Sequence, residues 1–204
     1  MAPFDRTNRL RWQAASLLAA APVAALAGMD AGAAPATPSR AALAATLHQR
    51  LLAGQSATAT LEAWCAEHRL AEPARVRAVR VRDVQRDAPA YVRHALQVAA
   101  GTPLGYRRVR LMCGSRVLSE ADNWYVPSLL TPAMNARLDG SDEPFGRVAA
   151  ALRFTRTTLR DEAFWPPRGD GPAAVLLDVH AVLSDARQRR FSYVIESYLV
   201  QSLP

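Results

Sequence analysis

Lysine is missing from this chain: all 25 basic residues are arginine, set against 18 acidic ones for a formal charge of +7. Together with the abundance of alanine, this looks like genome-wide compositional bias, so the charge says little about a partner. The arginines are scattered, with short pairs only at Arg107-Arg108 and Arg189-Arg190, and no basic stripe interleaved with aromatics is present. A nucleic-acid footprint clusters its charge, so nucleic acid is not an expected partner.

Cysteine is almost as scarce. Cys65 and Cys113 form one bridge at most, and no CxxC occurs. In an oxidising compartment the two can pair; the reading favoured here keeps them as separate buried thiols. The four histidines, at 48, 68, 94 and 180, lack metal-ligand spacing, so no metal is expected. GxGxxG and Walker-type loops are also missing, and no cofactor is expected. No Ser-His-Asp order or Cys-His pair stands out as a nucleophilic centre.

What is present begins with a leader. Arg6, Arg9 and Arg11 precede an Ala-Leu-rich run from Trp12 to Gly28, and Ala31-Gly32-Ala33 offers a small-x-small cleavage site. With Pro22 inside it, the run is too short and too weakly apolar for a permanent membrane span. Residues 1–33 are therefore expected to be a cleaved signal peptide, which implies a periplasmic or secreted protein. Should Met29 be the true start, the protein would be cytoplasmic. The Ala/Pro/Ser stretch 34–40 reads as a linker and 41–204 as one folded domain, expected to be monomeric.

Within the domain, Leu43, Leu47, Leu51 and Leu52 recur at helical spacing over 40–53, with Ser39 as N-cap and Gly54 as stop. A second helix starts at Ser56 or Thr58 and runs through Leu61, Trp64 and Cys65. Apolar and charged residues alternate from Arg75 to Val84, as in a strand with one wet face. Tyr106–Cys113 and Val117–Val126 form two more strands about a turn at Gly114-Ser115. A helix with Pro132 in its first turn covers 131–138. From Val148 the chain reads as a helix, then a looser segment through TRTTLRDEAF, and WPPRGDGP as a loop. Val175–Leu183 and Phe191–Val200 close the chain as a hairpin. Strands that mostly follow one another, with few helices between them, predict an α+β domain on an antiparallel sheet.

The last strand, YVIESYLV, places Glu196 on a half-buried face with Val194, Tyr198 and Val200. An unpaired carboxylate there costs several kcal/mol. It requires either a partner, for which the many arginines make an ion pair the simplest choice, or a cavity with polar contents. On the strand 106–113, alternation sets Arg107 with Val109, Leu111 and Cys113. Arg108 falls on the more polar side with Tyr106, Arg110 and Met112.

The blocks YRRVRLMC, VLSEADNWYVP, EPFGRVAAALRFTRTTLRD and FSYVIESYLV resemble, in order and spacing over residues 41–204, the chorismate lyase (chorismate pyruvate-lyase) family. The resemblance implies an antiparallel sheet of about six strands with helices on one side and an enclosed ligand pocket. It also implies conversion of chorismate to 4-hydroxybenzoate and pyruvate, a step of ubiquinone biosynthesis. Carried over block by block, the arginine that holds the substrate falls on Arg108, the pocket glutamate on Glu196, and two backbone contacts on Ala57 and Phe145. Arg108 would clamp the ring carboxylate and Glu196 would hydrogen-bond the opposite ring oxygen. The expected partner is thus a small aromatic or cyclohexadienyl carboxylate. Asn123 stands where the family pattern has an arginine, and Phe145 replaces a leucine. An exported lyase would seldom meet cytosolic chorismate, so the alternative is a non-catalytic periplasmic module that binds or senses a small molecule on the same scaffold.

Overall fold

A computed structural model describes residues 37–204; the leader expected over 1–33 lies outside the described residues. Helix α1 spans Arg40–Ala53, capped by Ser39, whose Oγ accepts from the Ala42 amide at 3.2 Å. Helix α2 spans Ala57–Glu67, capped by Ser56 through the Ala59 amide. The remaining helices are α3 (Ala90–Leu96), α4 (Pro132–Gly140) and the single turn α5 (Phe145–Val148). None of the described helices is long and apolar enough to cross a membrane.

Six strands, β1 (Val76–Val81), β2 (Gly105–Cys113), β3 (Arg116–Tyr125), β4 (Thr155–Arg168), β5 (Val175–Ser184) and β6 (Arg190–Leu199), form one sheet in the order β1-β2-β3-β6-β5-β4. Every pairing is antiparallel. The fold is therefore the expected α+β architecture. The β2–β3 turn uses Gly114 at φ +58°, a left-handed conformation that glycine adopts without Cβ strain.

Register assigns the two faces. Val109 pairs with Ala121, Ala121 with Glu196, and Glu196 with Val179, so these four share one row and one face. The next row along is Arg108–Asp122–Ile195–His180, which points the other way; the one after, Arg107–Asn123–Val194–Ala181, returns to the first face. This inner face carries the main core, where Leu47 and Leu51 of α1 and Leu61, Trp64 and Cys65 of α2 pack on Val76, Ala78, Val109, Leu111 and Tyr198. The Trp64 indole donates to the carbonyl of Ser202 at 2.7 Å, tying α2 to the chain's end. The short α3 packs on the opposite face, with Val92 and Leu96 against Trp124, Val182 and Tyr193.

Two expectations are corrected here. TRTTLRDEAF, read as a helix giving way to a looser segment, belongs to β4, a 14-residue edge strand that extends through WPPR. As an edge it is solvated along most of its length and lacks apolar alternation; its pairing to β5 is what makes it a strand. Cys65 and Cys113, read as separate thiols, are joined. Packing α2 across β2 brings their Cα atoms to 6.6 Å, within disulfide range.

Candidate functional site

The inner face is not filled completely. Between the start of α2, the turn α5 and the middle of the sheet lies a partly open chamber of about 50 Å³. Its walls include Ala57 and Thr58 of α2, Phe145 and Gly146 of α5, Asn123 of β3, Arg156 of β4 and Glu196 of β6. A second hollow of about 350 Å³ lies against it on the solvent side, lined by Glu62, Arg147 and Arg153 among others. Gln55, Ser56, Thr58, Gly146 and Phe154 border both. The chamber thus opens through a mouth between α2 and α5.

Glu196 is 5% exposed and engaged through one of its two oxygens. Its Oε2 accepts from Nη2 of Arg156 at 2.7 Å and from the Tyr198 hydroxyl at 2.8 Å. Burial pushes the Arg156 guanidinium down, but the adjacent carboxylate more than offsets this and holds it above the usual arginine range. Burial, reinforced by the same carboxylate, pushes the Tyr198 hydroxyl well up. Arg156 is therefore held as a cation, with a neutral phenol beside it. This meets the demand raised by a carboxylate on an apolar strand face: Glu196 has the arginine partner, and it faces a cavity as well.

The chamber has an electropositive side. Helix α2 aims its N-terminus at it, with the Ala59 amide taken by the Ser56 hydroxyl and the Thr60 amide by the Ser56 carbonyl. The amides of Ala57 and Thr58 precede the first intrahelical acceptor. Nε of Arg156, whose side chain is 4% exposed, has no hydrogen-bond partner among the described residues. Asn123 is held in place by the Ser192 hydroxyl, which donates to its Oδ1 at 2.8 Å.

Of the four residues that the family resemblance singles out, Ala57, Phe145 and Glu196 line this chamber. Arg108 does not, and its expected place beside Glu196 is corrected. It lies one row away from Val109, hence on the outer face, where it donates to both oxygens of Asp122 and to Glu120 at 2.8–3.2 Å. The inward guanidinium belongs to Arg107, 2% exposed, none of whose three nitrogens has a partner among the described residues. Burial, together with the charge of Arg80, pushes it below the usual arginine range. Arg156 escaped sequence reasoning because its segment was not read as a strand; the β-branched Thr155, Thr157 and Thr158 around it were the available signal. Among the described residues no His/Cys/Asp/Glu cluster could hold a metal.

No family model matches this sequence. Among solved structures, it is similar to PhnF from Mycobacterium smegmatis (TM-score 0.48, 11% identity, 73% of this chain and 65% of that one). It is also similar to a GntR-family transcriptional regulator from Bacillus cereus (TM-score 0.43, 13% identity, 61% and 91%). A third is the possible transcriptional regulator YydK from Bacillus subtilis (TM-score 0.45, 11% identity, 63% of this chain and 59% of that one). Overlays this loose assign no function. A much stronger likeness in sequence, 42% identity over 170 residues covering 75% of this chain and 72% of the relative, is to the uncharacterized protein y4mC of Sinorhizobium fredii (strain NBRC 101917 / NGR234). The chain belongs to the same family as y4mC.

Proposed function

We propose that this protein is an exported, non-catalytic module that binds a small organic carboxylate in the inner chamber. The observation that carries the reading is the convergence on one chamber of the α2 N-terminus and Arg156, whose buried Nε has no hydrogen-bond partner among the described residues. A helix N-terminus favours an anion through its exposed amides and dipole, and a buried guanidinium N–H without an acceptor costs free energy that an anionic ligand recovers. The apolar walls, among them Val109, Leu111, Leu183 and Val194, suit the hydrocarbon part of such a ligand. The Cys65–Cys113 bond supports an oxidising compartment, in keeping with the leader read over residues 1–33.

A chorismate lyase reading has one observation in its favour, the presence of Ala57, Phe145 and Glu196 around one chamber. It fits less well, because Glu196 already serves Arg156 and Tyr198 and because Arg108 is turned away. Calorimetric titration of the purified protein with a panel from acetate and hexanoate to benzoate, 4-hydroxybenzoate and chorismate tests both. Saturable binding of at least one acid, weakened by Arg156→Met and unchanged by Arg108→Ala, is the expected result. Release of 4-hydroxybenzoate from chorismate would replace the non-catalytic reading with the lyase. Absence of binding across the panel would discard both.

A further inference from the structure

We propose that Phe145 is the residue that sets which carboxylates this site accepts, by walling the inner chamber off from Arg107. The inference rests on the binding reading above and deepens it. At about 50 Å³ the chamber holds roughly four water-sized groups, well under the ~300 Å³ at which drug-sized ligands are normally enclosed. Something therefore occupies the space that a ring would need.

Phe145 occupies it. Its ring lines the chamber on one side; on the other it lies 5.5 Å from the Tyr125 ring and stacks on Phe191 at 6.2 Å. Tyr125 lies two residues along β3 from Asn123, the cross-strand partner of Arg107, and hence on the same sheet face as Arg107. Asn123, the cross-strand partner of Arg107, lines the chamber, whereas Arg107 and Tyr125 do not. The chamber thus ends at Asn123 and Phe145, and the unpartnered guanidinium lies just beyond them on the same sheet face.

With the inward path closed, a ligand can extend only outward, past Phe154, into the 350 Å³ hollow between α2 and α5. The site therefore suits an elongated acid, with its head at the α2 N-terminus and a chain leading outward, over a compact ring acid whose body needs the space of Phe145. Trimming Phe145 should open the chamber toward Arg107 and reverse that preference.

The test is calorimetric titration of wild type, Phe145→Ala and Phe145→Leu with hexanoate and with benzoate, each alone and combined with Arg107→Met. Folding is checked by near-UV circular dichroism, the leucine variant serving if the alanine one does not fold. Expected are hexanoate binding by wild type, an increase of at least tenfold in benzoate affinity on trimming, and loss of that increase when Arg107→Met is added. Hexanoate binding by wild type without a benzoate gain in either trimmed variant overturns the partition and leaves the binding reading intact. A gain that survives Arg107→Met overturns the role given to Arg107. No binding of either acid by any variant overturns the partition, and the reading beneath it falls with it when the remaining acids of the panel also fail to bind.

Discussion

Arg107 and Arg108, consecutive in β2, serve opposite faces of the sheet: Arg108 is held by Asp122 and Glu120 at the surface, and Arg107 is buried without an acceptor. Their costs to the fold consequently differ in sign. A buried unpaired charge destabilises, so Arg107→Met should raise stability by about 1–4 kcal/mol. Arg108→Ala should lower it by about 1–2 kcal/mol through the loss of partly shielded ion pairs. Urea denaturation of both variants checks this, and a destabilised Arg107→Met would mean that the guanidinium has a stabilising partner.

Arg156 and Glu196 form the opposite case, a buried pair in which each charge has its counter-charge, with side chains 4% and 7% exposed. Removing one member strands the other. Glu196→Gln or Arg156→Met should each cost about 3–5 kcal/mol, while the double variant should recover much of that loss. A double-mutant cycle from urea midpoints measures the coupling, and additive losses would contradict it.

The Cys65–Cys113 bond closes a loop across 48 residues and fastens α2, which supplies one chamber wall, to β2, which supplies another. On chain-entropy grounds its loss should cost about 4 kcal/mol. Cys65→Ser/Cys113→Ser compared with the oxidised protein in urea tests this, and adding reductant should lower the wild-type midpoint but leave the variant's unchanged.

His180 lies on the outer face, its Nδ1 2.9 Å from the Tyr193 hydroxyl. Burial, with the nearby charge of Arg160, pushes its pKa below the ordinary imidazole value, and Asp178 opposes this only in part. The unfolded chain then binds the proton more tightly than the folded one. The contribution is complete above about pH 6.5 and is lost as pH falls through the range below it. Urea midpoints at pH 7.5 and about pH 5 should differ less in His180→Gln than in wild type; equal declines would assign the effect to other groups.

Local features of this molecule were legible before its structure. Ser39 and Ser56 cap their helices because a hydroxyl in front of a helix satisfies an amide whatever lies further off. Strict alternation along β2 already set Arg107 with Val109 and Leu111 and set Arg108 on the polar side. The family resemblance pointed to Arg108 instead, and the pleat overrules it. Glu196 was recognisable as anomalous from its apolar neighbours.

The identity of its partner was not, since Arg156 lies 40 residues away on an edge strand whose solvated sequence carries no apolar period. The sequence by itself determined the helix caps, the inward and outward faces of most strands and the presence of one carboxylate in need of an answer, because these follow from steric and hydrogen-bonding rules acting over a few residues. Tertiary structure alone decided that Cys65 meets Cys113, that Arg156 answers Glu196 and that Phe145 stands beside the chamber. Those pairings depend on strand order and helix docking, which are fixed by burial summed over the whole chain.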